Sequence, residues 1–157
     1  MTEQELADKL AAGVKMTRQE LMNAIASGRE TFADLDFSQQ DLSGMNLAWL
    51  SMHDAKFMGA NLSGADLTST DLTCADLTGA NLTGANPTEA YLENANLTGA
   101  KLDGARFDGS TMRWADLTGA SLKGTSLKGV DLENASLKDC RFDNTNLEGA
   151  NLEGVER

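Results

Sequence analysis

From Phe32 to Leu152 a large side chain stands at every fifth position, apolar throughout except for the misfit Pro87. A helix repeats its faces every 3.6 residues and a strand every two, so neither can bury a file spaced by five. The spacing divides this stretch into 25 consecutive units, with Leu at seventeen centres, Phe at five and Met at two. Every phenylalanine in the chain is a centre. Two residues before the centre, from position 35 to 150, Ala stands in 14 of 24 units, and Thr, Ser, Cys or Val in six more. Each unit therefore sends one large and one small side chain inward.

The other positions read as turns. The residue just before the centre is Asp or Asn in 14 of 25 units, a short polar side chain that bonds to nearby backbone and favours a turn over a strand. Two residues after the centre stand 13 of the 15 glycines, where a corner needs a backbone angle that other residues avoid. Each unit is one wall and one corner. In its plainest copies, such as Ala75-Asp76-Leu77-Thr78-Gly79, the pattern resembles the pentapeptide-repeat family over most of the chain. The resemblance implies a right-handed quadrilateral parallel β-helix with four units per coil and a dry core. Twenty-five units then make about six coils, roughly 30 Å long at the ~4.8 Å spacing of neighbouring strands.

Residues 1–29 precede the repeats and are expected to form an N-terminal helical cap of two short helices; residues 30–157 are expected to form the β-helix. Thr2-Glu3-Gln4-Glu5 and Thr17-Arg18-Gln19-Glu20 both fit the capping box that starts a helix, and Gly13 and Gly28 fit the stops. Leu6, Leu10 and Val14 give the first helix an apolar stripe, and Leu21, Met22 and Ile25 give one to the second. A solenoid needs such a cover because its terminal coil shows unpaired backbone and apolar side chains. At the other end the repeats run on through Leu152, leaving an open coil expected to stack on a second copy or on a downstream segment.

Composition narrows the function. A net charge of −11 repels phosphate, so nucleic acid is not an expected partner. No apolar run is long enough to span a membrane and no signal-like segment is present, so the expected location is the cytoplasm. Cys74 falls at a corner and Cys140 at an inward small position 3.5 coils away, beyond disulfide reach. The sole histidine, His53, has Asp54 beside it, but their side chains are expected to diverge, and the repeat positions no nucleophile. An enzyme, a metal site or a cofactor is not expected.

Residues twenty apart stack when a coil holds four units, so the outer surface can be read in columns. Charges alternate along them: Glu93, Arg113 and Glu133; Asp103, Lys123 and Asp143; Asp108, Lys128 and Glu148. These are expected to be structural ladders. Bulky outward residues gather on one wall or its corners: His53, Tyr91 and Arg113 on the wall, Trp49 and Trp114 at its two edges. Exposed aromatics and Arg anchor interfaces, so this wall is the expected site for another protein.

A second reading comes from charge. Residues 31–100 carry nine acids against Lys56 alone, about one negative charge per 2 Å of rod, near the ~1.7 Å of duplex DNA. Well-known members of the resembling family imitate DNA and bind gyrase or topoisomerase IV. The resemblance thus implies, as the alternative, a DNA-mimicking acidic surface that includes Asp36, Asp41, Asp54, Asp66, Asp71 and Asp76. Against it, the chain lacks the C-terminal helical dimerisation segment of those proteins, and its unbroken register leaves no room for projecting loops.

Overall fold

Parallel bridges join residues twenty apart along the chain, from Thr31 with Ser51 to Ser136 with Glu156. This is the register of a parallel β-helix with four five-residue units to the coil. The computed structural model describes residues 2–157, with the side chains of Glu3, Leu6 and Leu10 outside the described residues; Leu6 and Leu10 of the expected first stripe are thus not placed.

One unit, Asn96 to Ala100, explains the rest. The Leu97 amide donates to Asp116 O in the next coil at 2.7 Å and the Gly99 amide to Thr118 O at 2.9 Å, while the Asn96 amide donates back to Ala75 O at 3.0 Å. The corner is closed by the Ala100 amide donating to Leu97 O at 2.9 Å, with Gly99 at φ 65°, as a turn with a left-handed third residue requires. The Thr98 amide donates to Asn96 Oδ1 at 3.0 Å. An Asp or Asn before the centre thus does both jobs, as Asn96 does: its backbone joins the bridge and its side chain fastens the following turn.

Four walls result, and we number them from the centre that opens each: wall 1 from Phe32, wall 2 from Phe37, wall 3 from Leu42 and wall 4 from Leu47, each continuing in steps of twenty. The apolar centres from Phe32 to Leu137 are fully or almost fully buried. Their stacking includes the rings of Phe37 and Phe57, 5.2 Å apart and 15° from parallel. Polar residues enter the small positions by bonding to backbone: the hydroxyls of Thr70 and Thr125 donate to Leu47 O and Leu102 O at 2.8 and 2.7 Å. Among the described residues no buried side-chain N or O atom lacks a partner. Pro87 fills its centre but has no N–H, and the bridge that would join Asn86 to Arg106 is the one gap in the ladder.

Two helices precede the coils, α1 (Glu3–Ala11) and α2 (Arg18–Ala26). Both expected capping boxes form: the Thr2 and Thr17 hydroxyls accept from the amides of Glu5 and Glu20, whose carboxylates accept in return. Both glycine stops form as well. The amides beyond Gly13 and Gly28, those of Val14 and Arg29, reach back to Lys9 O and Ala24 O at 2.9 and 3.0 Å.

The expected apolar stripes need correction. Left-handed Gly13 ends α1 before Val14, which lies past the helix and is exposed. In α2 Met22 is also exposed; Leu21 and Ala24 are buried, joined by partly buried Ile25 and by Met16 from the linker.

The first coil presents a row of carbonyls with no coil beneath them. The Met16 amide donates to Asp36 O at 3.0 Å, Lys15 to Ser38 O at 3.1 Å, and Arg29 to Thr31 O at 2.8 Å. The Arg18 guanidinium bonds to both Asp41 O and Ser43 O, at 2.8 and 3.1 Å. The carbonyls of this edge are thus met by an amide and three cations. An apolar hollow of about 350 Å3 remains between α2 and this coil, beside Met22, Ile25, Gly44 and Met45.

Candidate protein-binding wall

The corner residue of every unit has positive φ, which suits glycine and, among other residues, chiefly Asn and Asp. Twelve non-glycine residues nevertheless hold this conformation, and their distribution is uneven. Trp49, Ser69 and Glu89 occupy the leading edge of wall 1. Asp34, Asp54, Cys74, Asn94, Trp114 and Asn134 occupy its trailing edge. Only Gln39, Asp139 and Asn144 lie elsewhere, while the edge between walls 3 and 4 has glycine in five successive coils from Gly44 to Gly124. Non-glycine corners are thus concentrated where they border wall 1. That signal lies in the gaps of the glycine file, and reading the wall from its bulky residues alone passes over it.

The structure brings the expected residues to this wall. Trp49 and Trp114, the only tryptophans in the chain, are 73% and 61% exposed with φ of 66° and 60°. A bulky side chain is seldom found in that region, and most of each indole is in water. Tyr91 lies between them on the wall, 53% exposed. The diagonal from Trp49 to Trp114 climbs a little over three coils, about 16 Å at the inter-strand spacing.

Around the aromatics the charge is mostly acidic. Asp71 is bridged to Tyr91 from the coil before it, and Glu89 and Glu93 flank Tyr91 in the chain. Among the described residues none of the three carboxylates is in an ion pair. Arg113 is committed to the next coil: its Nε donates to Asp131 Oδ2 at 2.5 Å and its Nη2 lies 3.5 Å from Glu133. The bond to Asp131 raises its already high pKa further. The expected Glu93–Arg113–Glu133 ladder is therefore half made.

Two other ladders differ in the same way. Lys128 pairs with Glu148 at 3.3 Å, but Asp108 is taken by Arg106 and by the Ser126 hydroxyl. Asp103 accepts the backbone amide of Lys123, not its ammonium.

His53 and Asp54 do not diverge as expected. The left-handed backbone of Asp54 turns its carboxylate back to His53 Nδ1, at 3.0 Å. That bond raises the imidazole above its ordinary value, with Asp71 and Asp34 reinforcing it. Both side chains are half exposed, and no hydroxyl or thiol is hydrogen-bonded to the pair. Cys74 is exposed; Cys140 donates to Leu117 O at 3.0 Å, and burial raises its pKa. No cluster of described residues has the form of a metal site, and no described helix is long and apolar enough to cross a membrane.

The six acidic residues expected of a DNA-like surface do not share a face. Asp36 and Asp76 stand on wall 2, Asp41 on wall 3, Asp66 on wall 4, Asp71 on wall 1 and Asp54 at its trailing edge. Five of them also fasten turns, as Asp41 Oδ1 does for the Ser43 amide at 3.1 Å, a bond that lowers its carboxyl pKa.

The family model for pentapeptide repeats matches in eight copies, over segments spanning residues 32–154. Among solved structures, a pentapeptide repeat protein of the Arabidopsis thaliana thylakoid lumen is 33% identical, with a TM-score of 0.61 over 64% of this chain and 70% of that one. QnrB1, a plasmid-mediated fluoroquinolone resistance protein, is 20% identical, with a TM-score of 0.53 over 81% of this chain and 82% of that one. The latter likeness is one of fold. No curated protein sequence matches the chain.

Proposed function

The chain is a member of the pentapeptide-repeat family, and on that premise we propose that it is a non-enzymatic scaffold whose wall 1 binds another protein through Trp49, Tyr91 and Trp114, with His53 and Arg113 at the border. The observation that carries this reading is the pair of exposed tryptophans held in left-handed corners. They gain little burial there and cost backbone strain, so folding alone gives no reason for them. In this reading residues 1–29 are a cap on a right-handed helix of about six coils, residues 30–157. The cations bonded to first-coil carbonyls support the capping role.

The test is site-specific cross-linking: a photoreactive residue at Tyr91 should capture a discrete partner that the same residue at Thr83, on wall 3, does not. Equal capture from both positions would refute the wall.

The second reading, a DNA mimic that binds a type II topoisomerase such as gyrase, is favoured by the nine acids and single lysine of residues 31–100. Inhibition of gyrase supercoiling across a salt series separates the two. A mimic inhibits at low salt and loses its effect steeply as salt rises, whereas inhibition at no salt concentration excludes mimicry of this kind.

Self-association belongs to the proposal too. Phe142, Leu147 and Leu152 are partly exposed on the last coil, around a hollow of about 280 Å3, and a second copy stacks there through side chains.

A further inference from the structure

We propose that the partner of wall 1 is a cationic, extended protein segment, whose Arg or Lys side chains lie across Trp49, Tyr91 and Trp114 while their charges meet Asp71, Glu89 and Glu93. The inference rests on the reading of wall 1 as a protein-binding surface and adds the chemistry of what it binds. Three observations carry it.

Aromatic faces and carboxylates are interleaved on the diagonal, with Tyr91 between Glu89 and Glu93 in the chain and bridged to Asp71 from the preceding coil. A guanidinium or ammonium satisfies both groups at once, by cation–π contact and by a charge-assisted hydrogen bond. An uncharged apolar partner would cover these carboxylates and leave them unpaired.

The second observation is that the carboxylates are available. Among the described residues Asp71, Glu89 and Glu93 have no ion-pair partner: Arg113, one coil above Glu93, is held by Asp131 and Glu133, and His53, near Asp71, is bonded to Asp54. Third, the target has a shape. The ~16 Å climb between the tryptophans, on opposite edges of the wall, needs at least about five residues of extended chain at ~3.3 Å each, crossing the coils obliquely.

Fluorescence anisotropy of a labelled peptide of alternating Arg and Ser, titrated with the full chain, tests this directly, with a Glu–Ser peptide as control. Saturable binding of the Arg–Ser peptide alone is expected. Trp49→Ala/Trp114→Ala and Glu89→Gln/Glu93→Gln should each weaken it by about fivefold or more, with unchanged circular dichroism. The Asp36→Asn/Asp76→Asn pair on wall 2 should leave it within about twofold.

Absence of saturable binding, or equal weakening by the wall 2 pair, would overturn the inference. In that event cross-linking from Tyr91 tells the two levels apart. A discrete partner captured there refutes only the cationic chemistry, whereas no capture refutes wall 1 as an interface as well.

Discussion

Leu97 and Trp49 mark the two extremes of what a residue does in this chain. Leu97 is fully buried, and its amide is one rung of the ladder. Leu97→Lys would put an ammonium where no solvent or carboxylate is within reach; soluble folded protein should be lost, and an unchanged melting curve would refute the inward assignment. Trp49 exposes most of its surface and sits in a conformation for which glycine is better suited.

His53 lies between these extremes. Its pKa is raised by Asp54, so the stabilisation from the pair is complete below the ordinary imidazole value of about 6.5 and is lost as pH rises through the folded value. An NMR titration should give His53 a pKa above 6.5 that falls in Asp54→Asn; the same value in both proteins would show that the pair does not form in solution.

Among the elements, the five-residue unit was legible almost atom by atom, because one spacing sets burial, turn and bridge together. The helices were legible at their ends, where capping boxes and glycines act locally, but not on their faces. Val14 and Met22 fit an apolar stripe by period and lie in solvent, while Met16, between the helices, is wholly buried. Which face is covered depends on the coil beneath, and no local pattern reports that. The same limit hid Arg18, whose role is to meet two carbonyls of a distant segment. The His53–Asp54 contact was misread because it depends on the corner backbone and not on residue type.

The proposed cap should be sensitive to acid. The Thr17 amide, then Lys9 and the Thr17 hydroxyl, hold the Glu20 carboxyl at about 2 against an ordinary 4.5. The stabilisation is therefore complete above pH 4.5 and is lost as pH falls towards 2. The protection of α2 amides relative to unstructured amides at the same pH should fall over that range, and in Glu20→Gln it should be low already at neutral pH. Equal protection in the two proteins would remove Glu20 from the anchoring of α2.

At the scale of the whole molecule the ladder has a direction. Each unit sends two amides forward, from its centre and its corner, against one backward from the residue before the centre, so the first coil's outer edge is rich in carbonyls and the last coil's in N–H groups. Two copies meeting through their last coils would bring mostly donors to donors, and the stacking proposed there draws chiefly on Phe142, Leu147 and Leu152. Leu152→Glu should then convert any dimer to monomer in light scattering, and a dimer of unchanged mass would refute stacking through that end.

The direction of the ladder leaves the walls untouched, and wall 1 differs from the others in bearing nine of the twelve non-glycine corners at its two edges. The central claim is that its tryptophans are kept for binding and not for folding. The thermal midpoint of Trp49→Gly/Trp114→Gly tests this most directly. Relief of two left-handed corners, each of the order of 1 kcal/mol, should leave the midpoint unchanged or raise it by up to about 4–8 °C. A fall of that size or more would mean that the indoles hold the solenoid together, and would contradict the account of wall 1 as a surface built for a partner.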